Sequence, residues 1–472
     1  MIPSLASRQG LLVAVWTATA CVTLAGTAAA GQTPPPLHLD AAVDLALAHY
    51  PAVQAAQAGA ASAQGGVSLA KTAYLPRTDL IWQQNRATRN NVAGLLFPQA
   101  VIPSITGPVA DATSQAGLWG SAAGVLLSWE AFDFGLRRAN TVVAARLVKQ
   151  ATAGIELTRL QVAVAAADAF LGALAADEAV RAAQANVDRL QVFDTVVAAL
   201  VRADLKPGAD RSRADVELAA ARIQLFHAQQ TSAFARAALA EAIGAAGETV
   251  VPDPGSLLRS IPPPAPHASA VETHPLAQAQ QSAVETVVGR EDALNRAYAP
   301  RVNLQGAWFA RGAVAPGAAG SGTDGLFPDT PNWALGLTFT FPVFDLFNVR
   351  ARRQIEAGNE AVERARYDQL LDTLKTEAVR ARTQIESARL VAETTPAELT
   401  AAQAAEAQAR ARYQAGLASI TEIAEAQRLL AQSEIDDRLA RLGVWRALLV
   451  EANARGDLGS FLDQVRSFGR NP

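Results

Sequence analysis

The clearest regularity in the sequence is an alternation of period two: Trp333, Leu335, Leu337, Phe339 and Phe341 are separated by Asn332, Ala334, Gly336, Thr338 and Thr340. Successive side chains of an extended strand point to opposite faces, so this segment presents one oily face and one small or polar face. The signature recurs in residues 77–87, in 117–129 and in RVNLQGAWFA at 301–310, where Val302, Leu304 and Trp308 share a face. The pattern predicts four strands, two in each half of the chain, each about ten residues long.

Elsewhere the period lengthens. Leu157, Leu160, Val164, Ala167, Leu171 and Leu174 follow one another at intervals of three and four, and the series resumes at Val180, Ala183, Val187 and Leu190. Asp194 interrupts it before Val197 and Val201. A mean spacing of 3.5 is the coiled-coil period. It predicts a helix of about 65 residues from Gly135 to Val201, and a second from Phe347 to Tyr413, each roughly 100 Å long at 1.5 Å per residue. Each gives way, after a short break, to a helix of about 35 residues. The stretch from Leu37 to Ala73 is also helical in pattern, with Asp40 as its expected cap and Pro51 as a break.

The pattern is written twice. AYLPRTDL at 73–80 is echoed by AYAPRVNL at 297–304, an offset of 224 that also pairs Pro51 with Pro275, Gln54 with Gln278, Gln57 with Gln281 and Gly65 with Gly289. After the strands the offset becomes 212, pairing Phe132 with Phe344, Asp133 with Asp345, Arg138 with Arg350, Leu205 with Leu417, Ala214 with Ala426 and Gly244 with Gly456. The first half therefore carries twelve more residues between its strands, in loops (88–116 against 311–331) rich in Gly, Pro and Asn. Two repeats follow, at 37–246 and 270–458, with a proline-rich linker at 247–269 expected on the outside of the bundle and a tail at 459–472.

Composition narrows the function classes. The 41 Lys and Arg are balanced by 44 Asp and Glu, which offers no basic surface for nucleic acid. Residues 1–30 have the charged start, apolar middle and small-residue end of a signal peptide, with cleavage expected after Ala30. Acylation at Cys21 is the alternative, although Ala18, Thr19 and Ala20 lack the leucine usual before an acylated cysteine. Past the signal there is no cysteine, hence no disulfide frame and no thiolate metal site. There is also no run of about 18 apolar residues, so membrane insertion would have to use strands. Trp82, Trp119, Trp129, Trp308 and Trp333 all fall in the strand segments, as interfacial girdles of a membrane barrel require. A half-buried sheet of a water-soluble protein would show the same alternation.

No constellation for catalysis emerges. His38, His49, His227, His267 and His274 stand in no metal-ligand spacing. There is no GxSxG nucleophile elbow, no GxxxxGK(S/T) and no GxGxxG between a strand and a helix, and carboxylates such as Glu360 and Glu363 sit among Arg364 and Arg366 as on a solvated helix face. The reading is a protein that is not an enzyme, with no cofactor and no metal.

Taken in order and twice over, helix, Tyr-x-Pro, strand, loop, strand, FD turn, long helix, break and shorter helix make the sequence resemble the TolC-like outer-membrane efflux proteins. The resemblance covers Leu37 to about Gly456 and is carried by the duplication, by AYLPR and AYAPR, by the FDFG and FDLF turns, and by RYQAGLASITEIAEAQ. It implies a mainly α fold with a membrane β part: a homotrimer with one shared twelve-stranded barrel that continues into a twelve-helix tunnel. Such a duct works passively in the outer membrane, opened by a periplasmic adaptor and an inner-membrane pump, in efflux or type I secretion. The match places the adaptor-docking tips at Ala415, Gly416 and Leu417 and at Ala203, Asp204 and Leu205. It places the constriction at Glu422, Glu425, Tyr413 and Asp210, and the helix-to-strand junctions at Tyr74, Pro76, Tyr298 and Pro300. Two departures stand out: Asp204 replaces the glycine of the other tip, and Ala418 stands where the family's locking arginine falls. Glu422 and Glu425 also suit plain helix N-terminal carboxylates. The rival from another class is a periplasmic coiled-coil adaptor or scaffold without a pore.

Overall fold

The computed structural model describes residues 36–88, 116–259, 261–263, 270–313 and 323–470. The signal peptide, Cys21 and parts of both interstrand loops lie outside the described residues. The chain runs α1 (Leu39–His49), α2 (Pro51–Thr72), β1 (Arg77–Thr88), β2 (Gly117–Phe132), α3 (Leu136–Arg202) and α4 (Gly208–Ala242), and then repeats the theme. The second pass is α5 (Pro275–Arg296), β3 (Arg301–Gly312), β4 (Thr330–Thr340), α6 (Asp345–Gln414) and α7 (Ile420–Arg455), closed by α8 (Gly459–Arg470). The expected break falls at Tyr50, with Pro51 opening α2 where a missing N–H costs nothing. Asp40 does not cap α1: His38 holds the cap position, and the Asp40 carboxylate sits in the first turn, where it accepts from the Ala41 N–H at 2.9 Å.

The long helices contain 67 and 70 residues, about 100 Å each. Each folds back against its shorter partner, as where Val187 and Leu190 of α3 meet Leu218, Ala221 and Leu225 of α4. The expected 3.5-residue seam is present at Leu160, Ala167, Leu171, Leu174 and Val197, but Ala163, Ala166, Phe170 and Ala173 are buried beside it. The reason is that α3 has neighbours on several sides, α1, α2, α4, α5 and α7, so a single seam cannot describe it. Its length and composition would allow α3 to cross a membrane, yet most of the apolar stretch is buried within the fold. Asp194, which breaks the seam, faces the Arg211 guanidinium at 3.1 Å. Two more buried carboxylates in α3 are answered by cations: Asp177 by Arg236 of α4, with Ser232, and Glu178 by Arg438 of α7 and by Arg181 one turn along α3.

The main core gathers Leu39, Val43, Phe170, Leu171, Leu174, Leu442 and Trp445. The proline-rich connection is part of it and not merely an outer strap: Val250 and Leu257 are buried, and the Leu257 carbonyl accepts from Trp445 Nε1 at 3.0 Å. The tail at 459–472 is helical over Gly459–Arg470. This is helix α8, whose Phe461 and Phe468 meet the Trp445 ring edge-on at 6.2 and 5.4 Å.

The four strands form one antiparallel sheet in the order β1-β2-β3-β4. Its register assigns each side chain to one of two faces. Leu80 pairs with Val125, Val125 with Trp308, and Trp308 with Trp333, so these residues, with Leu304, Leu335, Leu337 and Phe339, share one face. Asp79, Ser128, Arg301, Asn303, Gln305, Thr338 and Thr340 share the other, together with a small apolar cluster of Ile81, Leu126, Ala307 and Phe309. The apolar face is bare: Leu80 is 85% and Trp333 78% exposed. Among the described residues, strands β1 and β4 each have a neighbour on one side only.

Candidate functional site

The two helix breaks are conformational twins. In the first, Leu205 N–H donates to the Leu200 carbonyl and Asp204 N–H to that of Val201; in the second, Leu417 donates to Arg412 and Gly416 to Tyr413, all between 2.8 and 3.0 Å. This is the double closure that ends a helix through one left-handed residue. That residue is Asp204 (φ 58°) in one tip and Gly416 (φ 76°) in the other. The Asp-for-Gly departure therefore leaves the turn intact, at about 1 kcal/mol of backbone strain that glycine avoids. Ala203 and Ala415 occupy the caps, where small side chains leave the turn uncluttered. Beyond them Leu205 and Leu417 are 68% and 71% exposed. A leucine here usually folds back onto its own helix; both point to solvent instead.

Just behind the tips, α6 and α4 are clasped. Tyr413 is 1% exposed and its hydroxyl donates to Asp210 Oδ2 at 3.0 Å. The ring lies 5.9 Å from that of Phe193, among Val197, Ala214, Ile420 and Ile423. Burial, reinforced by the hydrogen bond to Asp210, pushes the Tyr413 hydroxyl well above the ordinary tyrosine pKa. Lys206 Nζ sits 4.3 Å from the ring centroid, a cation over a π face. Lys206 lies 212 positions before Ala418. The cation beside this tyrosine thus comes from the first tip, at the position equivalent to the alanine of the second.

Glu422 and Glu425 lie on the first turns of α7. Ser419 and Glu422 form a reciprocal capping box, each bond 3.4 Å, with Arg412 at 3.7 Å from the Glu422 carboxylate. Arg428 donates to both Glu425 oxygens, the shorter contact 2.6 Å, and this bond holds the carboxyl below its ordinary range. Each acid is therefore next to an arginine that weakens its outward field. Sequence reasoning passed over Lys206, Arg412 and Arg428, although Glu425 and Arg428 stand at the i,i+3 spacing of a helical ion pair.

At the opposite end, both helices stop four residues before their strand resumes. α2 ends at Thr72 and Pro76 precedes β1; α5 ends at Arg296 and Pro300 precedes β3. In the first junction Tyr74 lies under the Arg137 guanidinium at 4.9 Å, and its carbonyl accepts from Trp129 Nε1 at 3.0 Å. Asp133 of the FDFG turn accepts from the Gly135 and Arg137 N–H groups, closing the start of α3. Tyr298 is half-buried at the second junction. Among the described residues no three metal-ligating side chains come together.

Comparison with known proteins agrees with this architecture. No curated protein sequence matches the chain. Among solved structures, it is similar to the CmeC outer membrane channel of Campylobacter jejuni (16% identity, TM-score 0.73, covering 92% of this chain and 89% of that one). CusC gives 15% identity and a TM-score of 0.74, with coverage of 89% and 92%. The open MtrE outer membrane channel of Neisseria gonorrhoeae gives 18% and 0.70, with 89% of each chain covered. At these identities the likeness establishes the fold. The family model for outer membrane efflux proteins matches residues 42–245 and 271–449, most of the sequence, and with it the chain belongs to the outer membrane efflux protein family, channels of the Gram-negative outer membrane.

Proposed function

We propose that three copies of this chain form the passive exit duct of a tripartite efflux or type I secretion machine, each giving four strands to a common barrel and its helices to a common tunnel. The observation that carries this is the two-faced sheet with two free edges. In hydrocarbon an unpaired backbone N–H or C=O costs several kcal/mol, so an open four-stranded sheet cannot persist there, whereas three copies joined edge to edge can close. On this reading the tryptophan face meets lipid, and the face with Asn303, Gln305 and Thr338 lines the channel. The helical repeats at 37–246 and 270–458 build the periplasmic part. A pore-free adaptor leaves the bare aromatic face without a use.

At the tips, Leu205 and Leu417 are apolar knobs offered to a periplasmic adaptor, while the Tyr413 clasp keeps the constriction narrow until an inner-membrane pump engages. The experiment is direct: protein purified in detergent should scatter light as a trimer, and in cells it should stay with the outer membrane after carbonate washing. A monomer released by the wash would overturn the duct. For the constriction, Glu422→Ala with Glu425→Ala should lower cation preference in a planar bilayer. An unchanged reversal potential under a salt gradient would leave the two acids as helix caps only.

A further inference from the structure

Where the tunnel meets the sheet, α3, α5, β3 and α6 enclose a groove of roughly 560 Å³. Arg290, Arg301 and Arg352 converge on it from three different elements, with Glu356 as its one carboxylate. None of the three guanidinium groups has a hydrogen-bond or ion-pair partner among the described residues. Other arginines between helices are matched, as Arg189 of α3 is by Glu434 of α7 and Arg236 of α4 by Asp177 of α3. Apart from Asn140, the rest of the wall is apolar, with Leu294 and a 62% exposed Ile355.

The register fixes which side of the sheet the groove serves. Arg301 pairs with Thr340 and shares its face with Asn303 and Gln305, opposite the Trp308–Trp333 face. A guanidinium presents a planar fork of N–H donors that fits the oxygens of a carboxylate or related oxyanion, and an apolar wall beside it favours an aryl or alkyl body. From this geometry we propose that the groove is a transit site for amphipathic organic anions, an aryl or alkyl carboxylate, one site per chain. The inference deepens the duct reading and rests on it for placing the groove on the cargo path. It also sets a net positive station at the membrane end against the acids of the periplasmic tip.

The test is equilibrium dialysis of radiolabelled 2-naphthoate against the full-length protein in phosphatidylcholine nanodiscs, with empty nanodiscs as the blank. Saturable binding of one naphthoate per chain is expected. Arg290→Gln or Arg352→Gln, each removing an exposed side chain that holds nothing in the fold, should weaken it roughly tenfold, the scale of one charged hydrogen bond. Arg352→Lys, which keeps the charge but not the fork, should lose less. Absence of saturable binding, binding untouched by both glutamine variants, or equal binding of neutral 2-naphthamide would overturn the proposal. Because the groove lies within one chain, a conducting trimer that ignores naphthoate removes the site and leaves the duct. A preparation that binds naphthoate but neither trimerises nor conducts removes the duct.

Discussion

Deleting one hydroxyl by Tyr413→Phe isolates the clasp from its packing. The ring, its contact with Phe193 and its place under Lys206 are all kept, and only the bond to Asp210 is lost. A hydrogen bond to a charged group is worth about 1.5–3 kcal/mol net. Asp210 is half-buried and recovers water when the hydroxyl goes, which selects the lower end of that range. About 1.5 kcal/mol shifts a two-state equilibrium roughly tenfold, so the open fraction of a mostly closed tip should rise by about that factor. Single-channel recording in planar bilayers reads this as open time, and cells should admit more of a bulky antibiotic that the outer membrane normally excludes. Asp210→Asn should do nearly the same, and the double variant little more, since both remove one bond. If Tyr413→Phe leaves open time unchanged while Tyr413→Ala raises it, packing alone holds the tip and the hydrogen bond is silent.

Three further outcomes follow from the same geometry. Trp445→Ala should destabilise the protein by about 3–5 kcal/mol, because it empties a fully buried site shared by α7, α8 and the proline-rich connection; a denaturant midpoint measures it. Asp204→Gly should stabilise the first tip by about 1 kcal/mol, whereas Gly416→Val should cost 1–2 kcal/mol or more, both seen as changes in amide exchange at the tips. Tyr413 should titrate late in a tyrosinate absorbance curve, and Tyr413→Phe should remove that late step. Since its folded pKa is raised, the clasp is at full strength below the ordinary tyrosine pKa of about 10 and weakens only as the pH climbs beyond it.

The features that sequence revealed are those with a period. Alternation at 332–341 and the 3.5-residue spacing in α3 named strands and long helices because a strand face and a helix stripe each repeat locally. The tips were legible through the duplication, which aligned Leu205 with Leu417 although one turn is built on aspartate and the other on glycine. The parts that stayed hidden depend on contacts between distant residues. Burial of Leu257 requires Trp445, nearly two hundred positions away; α8 is held through Phe461 and Phe468 on the same tryptophan; Arg290, Arg301 and Arg352 acquire meaning only when three elements converge. Lys206 stayed hidden because the expected cation belonged to the other tip, and sequence pairing cannot tell that a charge has moved across a pseudo-twofold relation.

The two free edges of the sheet also have a genetic consequence. If β1 of one chain must zip to β4 of the next, a chain that folds its helices correctly but carries a damaged edge still enters the assembly and spoils it. In a cell making equal amounts of sound and damaged chains, random assortment into threes leaves only about one assembly in eight free of defects. Lesions in β1 or β4 should therefore behave as dominant, while lesions that destroy the Trp445 core, and so keep the chain from assembling at all, should behave as recessive.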